Sequence, residues 1–285
     1  MDPRALAEWL AIPAEELERV SPIPLTILPT KTAVHEHFAA EMFDELRAAR
    51  ERQEPVSIII PIGPKGHYPM LARKVNEERL PLDHVTFFGM DQWLDWQARP
   101  LPIDHPCNLE GYFVRHFLEL VDPELRPLPE NVIFPTPFDL DRSPTEMARR
   151  GQIATTYGGF GFQGHLAFNE SPRSRWTPIT LEQLRDSTTR ILPLAVDTII
   201  AHAERSLGGN VAGVPPMAMT LGMRELLASR RIRLYTDGGS WKQTILRILL
   251  FSEPDVDYPV TLVRDHPDVA VVVDAASAAC PPSEW

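Results

Sequence analysis

Ile153-Ala154-Thr155-Thr156-Tyr157-Gly158-Gly159-Phe160-Gly161-Phe162-Gln163-Gly164-His165 is the stretch on which the fold turns. Its first part, Ile153 to Tyr157, is rich in β-branched and aromatic residues and reads as a strand. Glycines at 158, 159, 161 and 164 then interrupt the pattern. Glycine reaches positive φ without steric cost and lets a ligand approach the main chain closely. His165 and, five residues on, Glu170 follow directly. A strand that ends in a glycine-rich turn with ionisable groups fits an open α/β sheet, in which ligands bind beyond the carboxyl ends of the strands.

Outward from that stretch the same grammar repeats. Val56-Ser57-Ile58-Ile59-Ile60-Pro61-Ile62 is too short for a helix and apolar on both faces, as a buried parallel strand is. It runs into Gly63-Pro64-Lys65-Gly66-His67, and Pro69 is placed to open a helix. Val85 to Phe88 predicts a strand leading into Gly89-Met90-Asp91-Gln92-Trp93, and Leu25–Leu28, Ile232–Thr236 and Val269–Val273 predict three more. Thr30 caps a helix whose apolar positions Val34, Phe38, Met42 and Leu46 recur at helical spacing. Ser143-Pro144-Thr145-Glu146 reads as a capping box, and Leu194–Leu207 and Trp241–Leu250 read as helices. The alternation predicts an α/β fold: one modified doubly wound, Rossmann-like domain over residues 23–275, with a mainly parallel sheet and helices on both faces. A helical extension over 1–22 precedes it and a tail over 276–285 follows. The loops after Ile62, Phe88 and Tyr157 all fall at strand carboxyl ends and are expected to converge.

Composition bounds the function. The 285 residues are 44% hydrophobic and 24% charged, enough for a core and incompatible with wholesale disorder. Twenty-eight basic against thirty-nine acidic residues give a net charge of −11, which disfavours nucleic acid and anionic membrane but leaves room for a local basic pocket. The 29 prolines sit singly or in pairs at the joints between elements rather than in a PxxP tract. Cys107 and Cys280 match no metal motif and allow at most one bridge, which fits a reducing cytoplasm. No apolar run reaches the roughly 18 residues a membrane helix needs, and the start, MDPRALAEWL, lacks the order of a signal peptide. A soluble cytoplasmic protein with a small-molecule partner, and neither nucleic acid nor membrane, is the expectation.

Three segments carry a family resemblance. Residues 158–170, GGFGFQGHLAFNE, resemble the glucosamine-6-phosphate deaminase signature GG-x-G-x-D-G-H-x-A-F-N-E. Residues 88–93, FGMDQW, resemble that family's F-x-M-D-E-Y, and residues 214–222, VPPMAMTLG, its V-P-x-x-A-L-T-x-G. Order and spacing hold across residues 23–275. The wider superfamily includes 6-phosphogluconolactonases, which typically carry GH-T-A-S-L-F-P; Ala167-Phe168-Asn169-Glu170 is the deaminase version.

The resemblance implies an aldose–ketose isomerase/deaminase that turns an amino-sugar 6-phosphate into a ketose phosphate and ammonia, with no metal and no cofactor. Asp91 would shuttle the proton from C2 to C1, His165 would assist ring opening, and Glu170 would hold the imidazole. Read alone, Asp91 equally fits a helix cap and His165 a core position. Gln163 stands where the family has an aspartate, so the imidazole loses a charged neighbour and should be less basic than in relatives. A slower deaminase, a different reaction, or binding without turnover all follow from that change. For phosphate, the family loop P-T-G-G-T-P corresponds to Pro61–Pro69 here, with Gly63, Lys65 and Gly66 as contacts beside Gly159 and Gly161 of the second turn. Arg190 and Lys242 align with a phosphate-binding arginine and lysine. His105 fits a structural or substrate-edge place, and residues 171–187 fit a lid. The family includes monomers and hexamers, so a homo-oligomer stays undecided. The alternatives are a 6-phosphogluconolactonase-like hydrolase of sugar-phosphate lactones and a non-catalytic sugar-phosphate sensor.

Overall fold

Strands of this chain that are apolar on both faces end up in the middle of a parallel sheet, and their alternate residues build two separate cores. The computed structural model describes residues 1–171 and 176–281. Its strands are β1 (Leu25–Leu28), β2 (Val56–Ile60), β3 (Val85–Gly89), β4 (Asp91–Leu94), β5 (Val132–Ile133), β6 (Thr155–Gly158), β7 (Arg190–Pro193), β8 (Met217–Thr220), β9 (Arg231–Thr236) and β10 (Val269–Asp274). Its helices are α1 (Pro3–Leu10), α2 (Ala14–Val20), α3 (Lys31–Glu51), α4 (His67–Glu77), α5 (Leu109–His116), α6 (Arg142–Arg150), α7 (Leu181–Arg185), α8 (Val196–Ser206), α9 (Met223–Leu227), α10 (Gln243–Phe251) and α11 (Ala275–Ala278).

Seven strands form one all-parallel sheet in the order β1-β10-β9-β6-β2-β3-β5. The chain moves outward from β2 through β3 to β5, then returns to lay β6 against the other side of β2. The order therefore reverses between β2 and β6, the crevice where open α/β sheets bind ligands. Ile58 and Ile60 face one core with Phe38 and Met42 of α3 and Tyr68 and Leu71 of α4, while Ile59 between them faces the other with Ile245 and Leu249 of α10. Phe87 and Phe88 divide the same way. Burial of each such side chain contributes roughly 1.5–3 kcal/mol, and a one-residue slip would exchange the two sets.

Several local expectations are met residue for residue. Thr30 accepts from Ala33 N at 3.1 Å and starts α3, whose Val34, Phe38, Met42 and Leu46 are buried. Two differ. Residues 143–146 do not cap: α6 begins at Arg142 with Asp141 before it and no side-chain capping bond. Glu146 is held instead by Arg149 at 2.7 Å and Arg150 at 3.4 Å, so its carboxylate is not free to return to the backbone. Pro69 lies inside the first turn of α4, which starts two residues earlier, at His67.

A second, antiparallel sheet, β4-β8-β7, was not foreseen. It pairs Asp91 with Thr220 and Thr220 with Arg190, which makes Asp91 the first residue of a strand and not a helix cap. The terminal segments pack onto the domain. Leu17 of α2 is fully buried in the second core, and the buried Arg247 donates to Ile12 O at 2.7 Å, Ala278 O at 3.0 Å and Ala279 O at 3.1 Å. The last four residues of the expected tail lie outside the described residues. Among the described residues no helix is long and apolar enough to cross a membrane.

Candidate active site

The loops after β2, β6 and β9, together with β4, α3 and α8, surround a cavity of about 840 Å³ at the carboxyl ends of the strands. Two of the expected loops touch: a Cβ on Gly159 would lie 2.7 Å from Gly63 O, so glycine is what lets the two backbones approach. Gly63, Lys65 and Gly66 line the cavity from the β2 loop, and Gly159, Gly161 and His165 from the β6 loop. Asp91 and Lys242 complete the set of sequence-predicted residues that the fold brings together.

Asp91 opens β4 immediately after β3, so its carboxylate is fixed by the two sheets at once. Met90 N donates to Ile60 O at 3.1 Å, and Leu221 N donates to Met90 O at 2.9 Å. The side chain is 9% exposed, and burial pushes its pKa from 3.8 up to about 7. A carboxyl group in that range gives and takes a proton near neutrality with little driving force lost either way.

His165 sits in a tight loop closed by Gly161 N donating to His165 O at 2.8 Å and Gly164 N donating to Gly161 O at 3.1 Å. A Cβ on Gly161 would lie 1.8 Å from His165 Nε2, and Gly164 has a φ of +73°. Both glycines are therefore required, one by the imidazole and one by the turn. Desolvation, then the charge of Lys242, then His202 push the imidazole down to about 3, so it is neutral at working pH. The residues after it are structural: Asn169 is fully buried and donates from Nδ2 to Leu166 O at 3.0 Å and to Leu221 O at 2.8 Å, tying the loop to the end of β8.

Four positions read from the sequence lie outside the cavity lining: His105, Gln163, Glu170 and Arg190. Glu170 was expected on the imidazole; its Oε2 accepts from Ala195 N at 2.6 Å, at the entry to α8. It thereby fixes the helix that carries His202 and Arg205. Arg190 lies on β7, two strands from Asp91 across β8, and donates to Thr188 O at 3.3 Å. The arginine of the cavity is instead Arg205. Its Cζ stands 3.3 Å from the Trp241 ring centroid, with Lys242 Nζ 3.8 Å from the same ring. Lys242 is 5% exposed; burial lowers its pKa well below the usual value, with the Arg205 charge adding to the effect and Asp237 opposing it. Lys65 Nζ lies 4.8 Å from the Tyr112 ring, and desolvation lowers it too. His202 is pushed to about 4 by burial and by Lys65, Arg205 and Lys242 around it. His105 accepts from Cys107 N at 3.0 Å within its own turn.

Sequence reading also missed a polar cluster at the mouth. Asp237 Oδ2 stands 2.6 Å from His35 Nε2 and 3.0 Å from Lys31 Nζ. Burial acts to raise the Asp237 pKa, but the bonds to His35 and Lys31 override it and hold it at about 2. A Cβ on Gly66 would meet His35 Nδ1 at 2.0 Å, so this pair seats the β2 loop. The expected lid at 171–187 contains α7, and its residues 172–175 lie outside the described residues. Among the described residues no three His, Cys, Asp or Glu side chains are grouped to hold a metal ion.

No protein-family model matches the chain. The chain is 30% identical over 221 residues to glucosamine-6-phosphate deaminase 2 of Giardia intestinalis, covering 74% of this chain and 75% of that protein. It is 27% identical over 239 residues to the glucosamine-6-phosphate deaminase of Porphyromonas gingivalis, covering 81% and 83%. A solved monomeric glucosamine-6-phosphate deaminase shares the fold at a TM-score of 0.74 and 23% identity, over 89% of this chain and 98% of that one. A 6-phosphogluconolactonase from Thermotoga maritima shares it at 0.61 and 16%, over 88% and 99%.

Proposed function

The chain belongs to the glucosamine-6-phosphate deaminase family, and from that premise we propose that it converts an amino-sugar 6-phosphate, glucosamine 6-phosphate or a near relative, into a ketose phosphate and ammonia. The observation that carries this reading is Asp91: a single buried carboxyl group poised at about 7 in the same cavity as a neutral imidazole and two cations. Aldose–ketose conversion needs one group that removes a proton from C2 and returns it at C1, and a carboxylate at that pKa does both. The C2 imine so formed takes up water and releases ammonia. His165, held neutral, accepts and passes on the proton that moves during ring opening rather than acting as a standing imidazolium. The phosphate belongs with Lys242 and Arg205, the arginine supplying a fork and the lysine a point charge, against the backbone of Gly63–Gly66. Gln163 lies outside the cavity lining and, as an amide, supplies no charge to hold the imidazole protonated.

The test is direct. Purified protein is incubated with glucosamine 6-phosphate in deuterium oxide, and ammonia, ketose phosphate and label at C1 are followed. Equimolar ammonia and ketose phosphate with deuterium at C1 are expected, and Asp91→Asn lowers the rate about 10²–10⁴-fold. Hydrolysis of 6-phosphogluconolactone without ammonia release from any hexosamine phosphate would replace this reading with a lactonase.

A further inference from the structure

Arg205 and Lys242 share one aromatic ring. Besides the 3.3 Å and 3.8 Å approaches to Trp241, Phe162 stands 5.7 Å from Arg205 Cζ and Phe160 stands 4.8 Å from Lys242 Nζ. Two positive groups this close to one indole repel each other, and the ring's negative face offsets that repulsion for both. The ring itself has a fixed seat: a Cβ on Gly238 would lie 2.7 Å from its Nε1 and Cε2. Stacked in this way, Arg205 also has its Nε 3.4 Å from Oε2 of Glu204, an exposed side chain at the cavity lining.

We infer that Trp241 is the positioning residue of the phosphate clamp, its indole holding the Arg205 guanidinium inside the cavity beside Lys242. A long arginine samples many rotamers, and one already stacked spends less conformational freedom when the ligand arrives. The indole also carries no charge, so it holds the guanidinium without neutralising it. The inference rests on the assignment of Arg205 and Lys242 to phosphate.

Calorimetric titration with inorganic phosphate tests it on wild type, Trp241→Ala, Trp241→Phe, Glu204→Gln and the double variant Trp241→Ala/Glu204→Gln, beside KM and kcat for glucosamine 6-phosphate. In Trp241→Ala the phosphate Kd rises about tenfold, the scale of a desolvated cation–π contact. KM rises with it and kcat changes less than about threefold. Trp241→Phe keeps Kd within about threefold of wild type, because a π face remains. Glu204→Gln raises phosphate affinity more in the Ala variant, where the ring no longer restrains the guanidinium, than it does alone; a merely structural role for the ring predicts equal gains. Phosphate also perturbs tryptophan emission in wild type, and that signal disappears in Trp241→Phe; this measurement stands even where Trp241→Ala does not fold. A Kd indifferent to Trp241→Ala, or an emission change undiminished in Trp241→Phe, overturns the inference. Phosphate binding that depends on Trp241 without ammonia release leaves it standing while the deaminase reading fails, and a wild type that binds no phosphate overturns both.

Discussion

Replacing Asp91 by asparagine should make the protein more stable, and by an amount that depends on pH in one direction only. In the folded chain burial lifts the carboxyl pKa from 3.8 to about 7. That gap of about three units corresponds to about 4 kcal/mol at roughly 1.4 kcal/mol per unit. Because the folded-state pKa is the higher one, the native protein keeps a proton that the unfolded chain has already released. Its stabilising contribution is whole below pH 3.8, declines as pH climbs toward about 7, and is gone above that. Asparagine fills the same space and never ionises. The stability of Asp91→Asn relative to wild type should therefore grow by about 4 kcal/mol between pH 4 and pH 8. Urea unfolding followed by tryptophan fluorescence at five pH values across that range, in phosphate-free buffer, measures it; the other titrating groups are common to both proteins and cancel. A difference that stays flat with pH, or an asparagine variant that loses ground at pH 8, would show that the carboxyl group is not desolvated, and the case for a proton shuttle poised near neutrality would go with it.

The remaining expectations concern the same loop and the same proton. The pH dependence of kcat/KM should rise through about 7 as Asp91 becomes a base, and His165, pushed down to about 3, should add no limb above pH 5; a limb near 6.5 that vanishes in His165→Gln would contradict this. Gly161→Ala would put a methyl group 1.8 Å from His165 Nε2. Displacing the ring by about an ångström is expected to cost about 100-fold in kcat/KM, with a far-UV circular dichroism spectrum like that of wild type; full activity in this variant would remove the imidazole from the reaction.

What the sequence exposes and what it hides follow from where the information lies. Strands such as Val56–Ile60 and Val269–Val273 are legible because burial on both faces demands an unbroken apolar run. The small sheet is not, because β4 carries Asp91 and Gln92 and its partner β8 lies far along the chain. Its strands hold by pairing, and no local pattern announces that. The glycine-rich turn is legible as bare backbone, and what crowds it is the protein itself: Gly159 and Gly161 meet Gly63 O and His165 when given a Cβ. Glu170 and Arg190 show the limit of linear motifs. Each lies in a recognisable segment, yet Glu170 reaches Ala195 N at the entry to α8, and Arg190 pairs across β8 outside the cavity lining. Arg205 and Trp241 carry no motif of their own; one belongs to an amphipathic helix and the other to a turn, and only the fold brings them to 3.3 Å.

One physical cause runs through most of the cavity. Desolvation raises Asp91, lowers His165 and His202, and lowers Lys65 and Lys242, so each of these groups moves toward its neutral form, while His35 and Lys31 keep Asp237 ionised. A site built this way in a chain of net charge −11 holds its lysines as reluctant cations until an anion arrives. A phosphate dianion at the proposed place between Lys242 and Arg205 would oppose both the burial and the Arg205 repulsion that lower the lysine, so binding and lysine protonation would reinforce each other. Asp91 is lifted by burial alone, and so it is poised before any ligand is bound. Division of labour follows from that difference: the cations are completed by the ligand, whereas the proton shuttle is set by the sheets that bury it.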